Sequence, residues 1–496
     1  MDFSTIGSAF LGVLDPFVLC LLVAGTVLGV VIGALPGLTS TMGVALLVPL
    51  TFGMRPAEGL ALLGAIYCSS SFAGSISAIL LNIPGTPSNC CTTLDGWPMT
   101  QKGQASRALA LSAVGSCVGG IASTFALLFL APPLARLALE FGPQEYFVMA
   151  LFGVAIIATL SEKHRLKGLI AGVFGLLLSI IGMHPLTGEP RFTFDLPELY
   201  NGLSLVTALI GLYSIPEVVS MLAQRSVRVD EVGVGRGVWH AMREIFSHKL
   251  LSLKATVIGV IIGIVPGAGQ SIASFIAYDN ARQGSKHPEQ FGKGSAEGVI
   301  ASEVANNAVV GGSLIPAFTL GIPGNAVSAV LISGLMIHGL QPGPALFEES
   351  AGMVYTFILS LFVSNLLFVP IGIFCARYCV RLIRTPPAIL AALVLGLAVI
   401  GSYAINSSMT DVWIMLVVGA IGCVMCFFDV PREPLVLGLV LGTMAESELA
   451  RALALVGGNV PELLQGIAVS PICLVMIALT LWTGIRSFSK SMRAGK

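Results

Sequence analysis

Charge is scarce in this chain: 26 Lys and Arg and 26 Asp and Glu make up 10% of 496 residues, against roughly 25% in ordinary soluble domains. With 55% hydrophobic residues, that excludes a soluble globular protein and points to a polytopic membrane protein. The chain also lacks the signatures of an energy-converting or hydrolytic enzyme. It has no G-x-x-x-x-G-K-[ST] loop to cradle phosphates, no HExxH, and no polar segment large enough to form an ATP-hydrolysing domain. No Asp dyad, Ser-Lys pair or His-metal set stands in its apolar segments, so no catalysis and no cofactor are expected. No nucleic-acid partner is expected either. Residues 1–54 contain neither Lys nor Arg, which removes the basic region of a cleavable signal peptide and makes the first apolar segment an expected retained span.

Uncharged runs are plentiful. The stretches 17–35, 108–135, 255–278, 350–376, 385–410 and 463–485 lack all four charged residue types, and a spanning helix needs about 20 apolar residues. Shorter candidates lie at 146–160, 168–183, 199–216, 412–428 and 434–445. Two uncharged stretches, 59–94 and 304–347, are too long for one crossing and are expected to fold as re-entrant hairpins or broken helices. The lipid bilayer is therefore the expected solvent of an all-α polytopic membrane protein with ten to twelve crossings. Basic residues cluster at Lys163, Arg165 and Lys167, at 225–249, at Arg377, Arg381 and Arg384, and in the tail at Arg486, Lys490, Arg493 and Lys496. The positive-inside rule places these clusters and the C-terminus in the cytoplasm, and the loop holding Glu189, Asp195 and Glu198 outside.

Glycine and proline organise the apolar stretches. Pro36-Gly37 recurs as Pro266-Gly267, and the flanking Gly29-Val-Val-Ile-Gly33 recurs as Gly259-Val-Ile-Ile-Gly263, at an offset of 230 residues. Ile83-Pro84-Gly85 recurs as Ile322-Pro323-Gly324 at an offset of 239. Proline lacks an N–H and glycine adopts backbone angles other residues avoid, so each motif interrupts a helix and frees backbone polar groups. Kinks in a bundle would explain one such motif. Four in a repeated register point instead to a transport site between two related halves, because freed backbone groups in a bilayer must face protein or a watery cavity. The match of 211–217 to 442–448 at an offset of 231 joins segments expected to run in opposite directions, which describes two inverted-topology repeats. The first spans 1–223 with breaks at 33–41 and 82–86; a basic cytoplasmic linker follows at 224–249; the second spans 250–496 with breaks at 263–271 and 321–325.

The candidate substrate-binding residues follow from the breaks: Pro36, Gly37, Thr39, Ser40, Asn82, Pro84, Gly85 and Thr86 in the first half, and Pro266, Gly267, Gly269, Gln270, Ser271, Pro323, Gly324 and Asn325 in the second. Hydroxyls, amides and freed carbonyls suit Na⁺, and helix N-termini hold a carboxylate without a basic residue. No Lys or Arg stands within any of the four motifs. Candidate cation ligands are Ser69, Ser75, Glu303, Asn306 and Asn307. Consecutive amides in a membrane segment are costly unless partnered, so Asn306-Asn307 reads either as a functional pair or as interhelical hydrogen-bond glue. Glu303 alone reads as an interfacial structural residue because Glu297 and a charged stretch precede it. His338 reads as a packing residue.

Ten cysteines include a C-x-x-C at Cys423-Val-Met-Cys426, but it stands in an apolar span with no second pair or His nearby and reads as core packing. Cys90-Cys91 reads as small polarizable lining.

Taken in order, Gly33-Ala-Leu-Pro-Gly-Leu-Thr39, 67–74, Asn82-Ile-Pro-Gly-Thr86, Leu94-Asp-Gly-Trp-Pro-Met99, Lys102-Gly103, Pro266-Gly-Ala-Gly269, Glu303-Val-Ala-Asn-Asn307 and Gly321-Ile-Pro-Gly324 resemble the large membrane subunit of the tripartite tricarboxylate transporters across nearly the whole chain. Cys68, Ser69, Phe72 and Cys90-Cys91 depart from that pattern, and such differences would tune the substrate. The resemblance implies a secondary transporter of the bacterial inner membrane for carboxylates such as citrate. It also implies a small transmembrane subunit, a periplasmic solute-binding protein, Na⁺ or H⁺ as coupling ion, and an elevator motion by analogy with other binding-protein-dependent carriers.

Overall fold

The computed structural model describes residues 3–160, 165–184, 187–223, 237–383 and 386–480. Lys163, Arg384, the 224–236 part of the linker and the basic tail lie outside these residues. Among the described residues the chain is all-α but for one short hairpin, Gly182–Met183 paired with Pro190–Arg191. In chain order the first half holds α1 (Phe3–Val13), α2 (Pro16–Ala34), α3 (Ser40–Leu47), α4 (Pro56–Leu81), α5 (Cys90–Gln101), α6 (Ala105–Ala138), α7 (Pro143–Leu160), α8 (Arg165–Ser179) and α9 (Leu205–Ala223). The linker region forms α10 (Val238–Ser247), which packs on α6 through an Arg107–Glu244 ion pair. The second half holds α11 (Lys249–Ile264), α12 (Gly269–Gly284), α13 (Ala296–Leu320), α14 (Ala326–Ile337), α15 (Ala345–Glu349), α16 (Ala351–Ile383), α17 (Pro387–Asn406), α18 (Met409–Phe427), α19 (Glu433–Leu455) and α20 (Val460–Val469).

Among the described residues eight helices are long and apolar enough to span a bilayer: α2, α4, α6, α9, α13, α16, α17 and α18. The count is ten if two sharply bent pairs, α10–α11 (84°) and α19–α20 (106°), each make one span. That is the low end of the ten to twelve expected. The excess came from runs such as 168–183, which folds as the short helix α8; 434–445 is the apolar start of α19, which continues through Glu446 and Glu448 and counts only together with α20.

Glycines set the closest packing. Gly25 and Gly29 of α2 lie against Leu62 and Ile66 of α4, where an added Cβ would come within 2.8 Å and 2.7 Å of the carbonyl oxygens. In the second half Gly259 and Gly263 of α11 meet Ala305 and Gly312 of α13. Both pairs run parallel, so the intervening Pro-Gly turn and α3 or α12 must double back.

Packing in the two halves matches under exchange. α2 lies on α4 as α11 lies on α13; α4 lies on α16 as α13 lies on α6; α9 pairs with α18 as α19 pairs with α8; and α17 contacts α9 as α7 contacts α19. The equivalent helices α4 and α13 cross at the centre in antiparallel register, with Ser71 opposite Asn306 and Tyr67 opposite Ser313. Both are buried along their apolar lengths. The helices form two groups, α1–α6 with α11–α16, and α7–α9 with α17–α20. They meet through α3 and the one-turn helix Pro49–Thr51 against α9 and α17, and through α14 against α9 and α19.

Candidate functional site

The four breaks use matching backbone. α2 ends at Leu35 (φ −82°, ψ 116°) and α11 at Val265 (φ −77°, ψ 116°), and each is followed by a Pro-Gly whose glycine has positive φ, 94° at Gly37 and 79° at Gly267. Each turn is closed by a short bond, Leu38 N–H to Leu35 O (3.1 Å) and Ala268 N–H to Val265 O (3.3 Å). α4 and α13 likewise end on left-handed residues, Asn82 and Gly321, immediately before Ile-Pro-Gly. Positive φ costs most residues energy, and Asn and Gly bear it most readily. Gly85 N–H then bonds back to Gly74 O at 3.1 Å, and Gly267 N–H bonds Gly324 O at 2.8 Å, which joins the two breaks of the second half. The helices that follow are capped by their own residues. Thr39 Oγ1 accepts from Met42 N–H at the start of α3, and Asn325 Oδ1 accepts from Ser328 N–H at the start of α14.

The α4–α13 crossing gathers polar groups from both halves. Asn325 Nδ2 donates to the Tyr67 hydroxyl (2.7 Å), which lies 3.2 Å from Ser313 Oγ. Gln270 Nε2 donates to Ser71 Oγ (2.9 Å) and to Asn306 O (3.3 Å). Asn306 Nδ2 donates to Ser71 O (2.9 Å) and Asn307 Nδ2 to Cys68 O (3.3 Å). Because these amide nitrogens face carbonyl oxygens, the amides cannot be turned over. Their own oxygens, Asn306 Oδ1 and Asn307 Oδ1, are buried without a donor. Asn365 of α16 repeats the pattern, with Nδ2 on Leu361 O (2.7 Å) and Oδ1 unpartnered. Buried acceptors left without donors are costly, and all three amides lie against α4 at Cys68 and Ser71.

Glu303 stands one turn before Asn307 and is fully buried. Its Oε1 accepts from Thr92 Oγ1 and from Asn89 Nδ2 (3.3 Å), and its Oε2 accepts from Ser116 Oγ (2.8 Å). No Lys, Arg or His forms an ion pair with it among the described residues. The interfacial role expected from the nearby Glu297 is therefore corrected. Residues of α5 and α6, distant in sequence, enclose this side chain, whereas Glu297 lies two turns away and faces His248.

Gln270, Asn306, Asn307 and Asn325 thus all meet one stretch of α4, 67–71, and Thr86 joins Asn89 (2.5 Å) beside Glu303. Other expected residues stand apart. Ser69 Oγ bonds its own helix at Ala65 O (2.6 Å) and faces Gly29. Ser75 Oγ lies 2.5 Å from Ser112 Oγ, and Ser40 Oγ is buried with no partner. Ser271 is half-buried, and Pro36-Gly37 sits against Glu217 of α9, whose Oε1 would lie 3.1 Å from a Cβ at Gly37. Sequence reasoning missed Asn89, Thr92, Ser116, Asn365 and Glu217. For Asn89 and Thr92 a signal existed, their position just past the first Ile-Pro-Gly; single polar residues on the long helices α6 and α16 gave none. His338 bonds Thr51 Oγ1 (3.2 Å), in keeping with a packing role. Cys91 is buried with its thiol on Ser274 O, and Cys423 and Cys426 ride on α18 as free thiols. Among the described residues no group of three or more His, Cys, Asp or Glu forms a metal cluster.

Comparison with known proteins gives the following. Residues 19–437 match the model of the Tripartite tricarboxylate transporter TctA family. An uncharacterized 52.8 kDa protein in the TAR-I ttuC' 3' region of Agrobacterium vitis is 37% identical over 437 residues, which cover 88% of this chain and 87% of that protein. An uncharacterized protein in the TAR-II ttuC' 3' region of the same organism is 34% identical over 232 residues, 46% of this chain and 96% of that protein. No solved structure matches the chain.

Proposed function

This chain belongs to the tripartite tricarboxylate transporter TctA family, and on that premise we propose that it is the membrane subunit that carries the substrate in a binding-protein-dependent carboxylate uptake system of the bacterial inner membrane. A small transmembrane subunit and a periplasmic solute-binding protein complete the system, and the binding protein delivers citrate or a related organic acid. The C-terminus is cytoplasmic. A Na⁺ or H⁺ gradient drives uptake, and no cofactor takes part.

The observation that carries this reading is that both breaks of the second half reach the α4–α13 crossing, Gln270 at Ser71 and Asn325 at Tyr67, beside buried amide oxygens that lack donors. The substrate carboxylate sits between the break tips near residues 36–40, 84–86, 266–271 and 323–325, held by N–H groups at helix starts. Cations sit on the Asn306 and Asn307 oxygens, with Glu303 as the negative charge beside them. The two halves act as inverted repeats, and one helix group moves against the other to open the site alternately to each side.

The test is uptake of radiolabelled citrate and a panel of other carboxylates into proteoliposomes holding this chain and its small subunit. Uptake that needs both the binding protein and an imposed gradient supports the reading and names a substrate. Equilibration without a gradient favours a channel for small organic anions and makes the breaks pore lining.

A further inference from the structure

The matched halves differ in what covers the helix after each Pro-Gly. α3 packs on α9 and α17, and α14 packs on α9 and α19. Among the described residues, their counterparts α12 and α5 make no comparable contact with the α7–α9 and α17–α20 group; they pack on α4, α6, α11 and α13. Burial follows the difference. At the offset of 230, Ala45 and Leu46 of α3 are 0% and 8% exposed, while the matching Phe275 and Ile276 of α12 are 45% and 44% exposed. At the offset of 239, Leu94 of α5 is 40% exposed and the matching Ser333 of α14 only 1%.

The bare face of α12 is not wholly apolar. Phe275 and Ile276 share it with Asp279 and Asn280, one turn on and also exposed, and a charged side chain facing hydrocarbon is costly. The matching face of α3 shows what such a surface does in this fold: it docks on α9 and α17, with Gly37 against Glu217 and Leu46 O beside Gly401.

We propose that the α5–α12 face is a second docking surface whose occupant is the α7–α19 part of this same chain, reached when α3 leaves α9 and α17 and α14 leaves its present seat on α9 and α19. Exchange of the halves turns the α3–α9 contact into α12 on α19, the α3–α17 contact into α12 on α7, and Gly37–Glu217 into Gly267–Glu448. Glu448 is at present bonded to Arg451 (2.9 Å), which the new contact would displace. Phe275, Ile276 and Leu94 become buried as Ala45 and Leu46 become exposed. The proposal rests on the transport reading above and specifies the interface that alternates.

The experiment uses two single-cysteine variants, Phe275→Cys and Ala45→Cys, in a chain whose ten native cysteines are replaced. They are reconstituted with the small subunit and probed with a water-soluble maleimide while uptake is measured in the same vesicles. The carboxylate used is whichever the parent chain takes up. Conditions that shift the resting state should change the two labelling rates several-fold in opposite directions. Uptake with both rates unchanged, with both moving together, or with Phe275→Cys never labelled overturns the docking surface and leaves the transport reading standing. Absence of uptake by the parent chain with every carboxylate sinks the transport reading itself. A second variant, Phe275→Asp, should insert and co-purify with the small subunit yet lose uptake. Loss of the small subunit instead would assign this face to that partner and overturn the proposal.

Discussion

Two carboxylates are wholly buried within a few turns of one another, Asp95 on α5 and Glu303 on α13, and neither forms an ion pair among the described residues. Their surroundings differ in kind. Asp95 takes the Gly294 and Ser295 N–H groups (2.8 and 2.7 Å) at the start of α13 and the Tyr278 hydroxyl (2.9 Å). Backbone donors at a helix N-terminus present fixed positive potential, so the charge of Asp95 is matched by the fold itself. Glu303 lies in the middle of the same helix, where backbone N–H groups are already used, and is held by an amide and rotatable hydroxyls only. Its negative charge has no fixed counterpart, which makes it the acid a mobile cation or proton would neutralise. One acid ties α5 to α13; the other is the one the proposed transport cycle would use.

The comparison breaks most directly at Asp95. Asp95→Ala strands two helix-start N–H groups and a buried tyrosine hydroxyl, and should cost about 3 kcal/mol. The thermal midpoint of the detergent-solubilised protein should fall, with uptake lost in proportion to folded protein. Glu303→Gln should leave that midpoint near the parent value while lowering uptake per folded molecule roughly tenfold, equivalent to about 1.4 kcal/mol. Asn307→Ala and Ser40→Ala sharpen the same contrast beside the breaks: uptake at limiting substrate and cation should fall several-fold with insertion retained, and normal uptake by both would remove these residues from the site. The smallest effect is Tyr278→Phe, which deletes one of three bonds to Asp95 and should lower stability by about 1 kcal/mol without altering cation dependence. A change in cation dependence there would erase the distinction between the two acids.

Much of the fold was legible because helix breaks are local. Pro36-Gly37 and Pro266-Gly267 announce themselves, and Leu35 and Val265 do adopt the same extended angles before them. The residues within each break were legible for the same reason, Asn325 as a cap and Gln270 just past the second turn. The enclosure of Glu303 was not, since Asn89 and Thr92 reach it from more than 200 residues away. Glu297, six residues off along the chain, suggested an interface that the crossing of α5 and α6 over α13 removes. Nor could the sequence show that α3 is covered while α12 is bare. Matching sequences encode matching helices, but which end of a pseudo-symmetric unit is docked is a property of the state the chain occupies.

The most direct test sets the parent chain and Glu303→Gln side by side in proteoliposomes with the small subunit and the binding protein, recording uptake against an imposed Na⁺ or proton gradient and the thermal midpoint of each protein. The account predicts an unchanged midpoint and an uptake that no longer responds to the gradient. A midpoint lowered as far as that of Asp95→Ala, or uptake with the parent's gradient response, would contradict it.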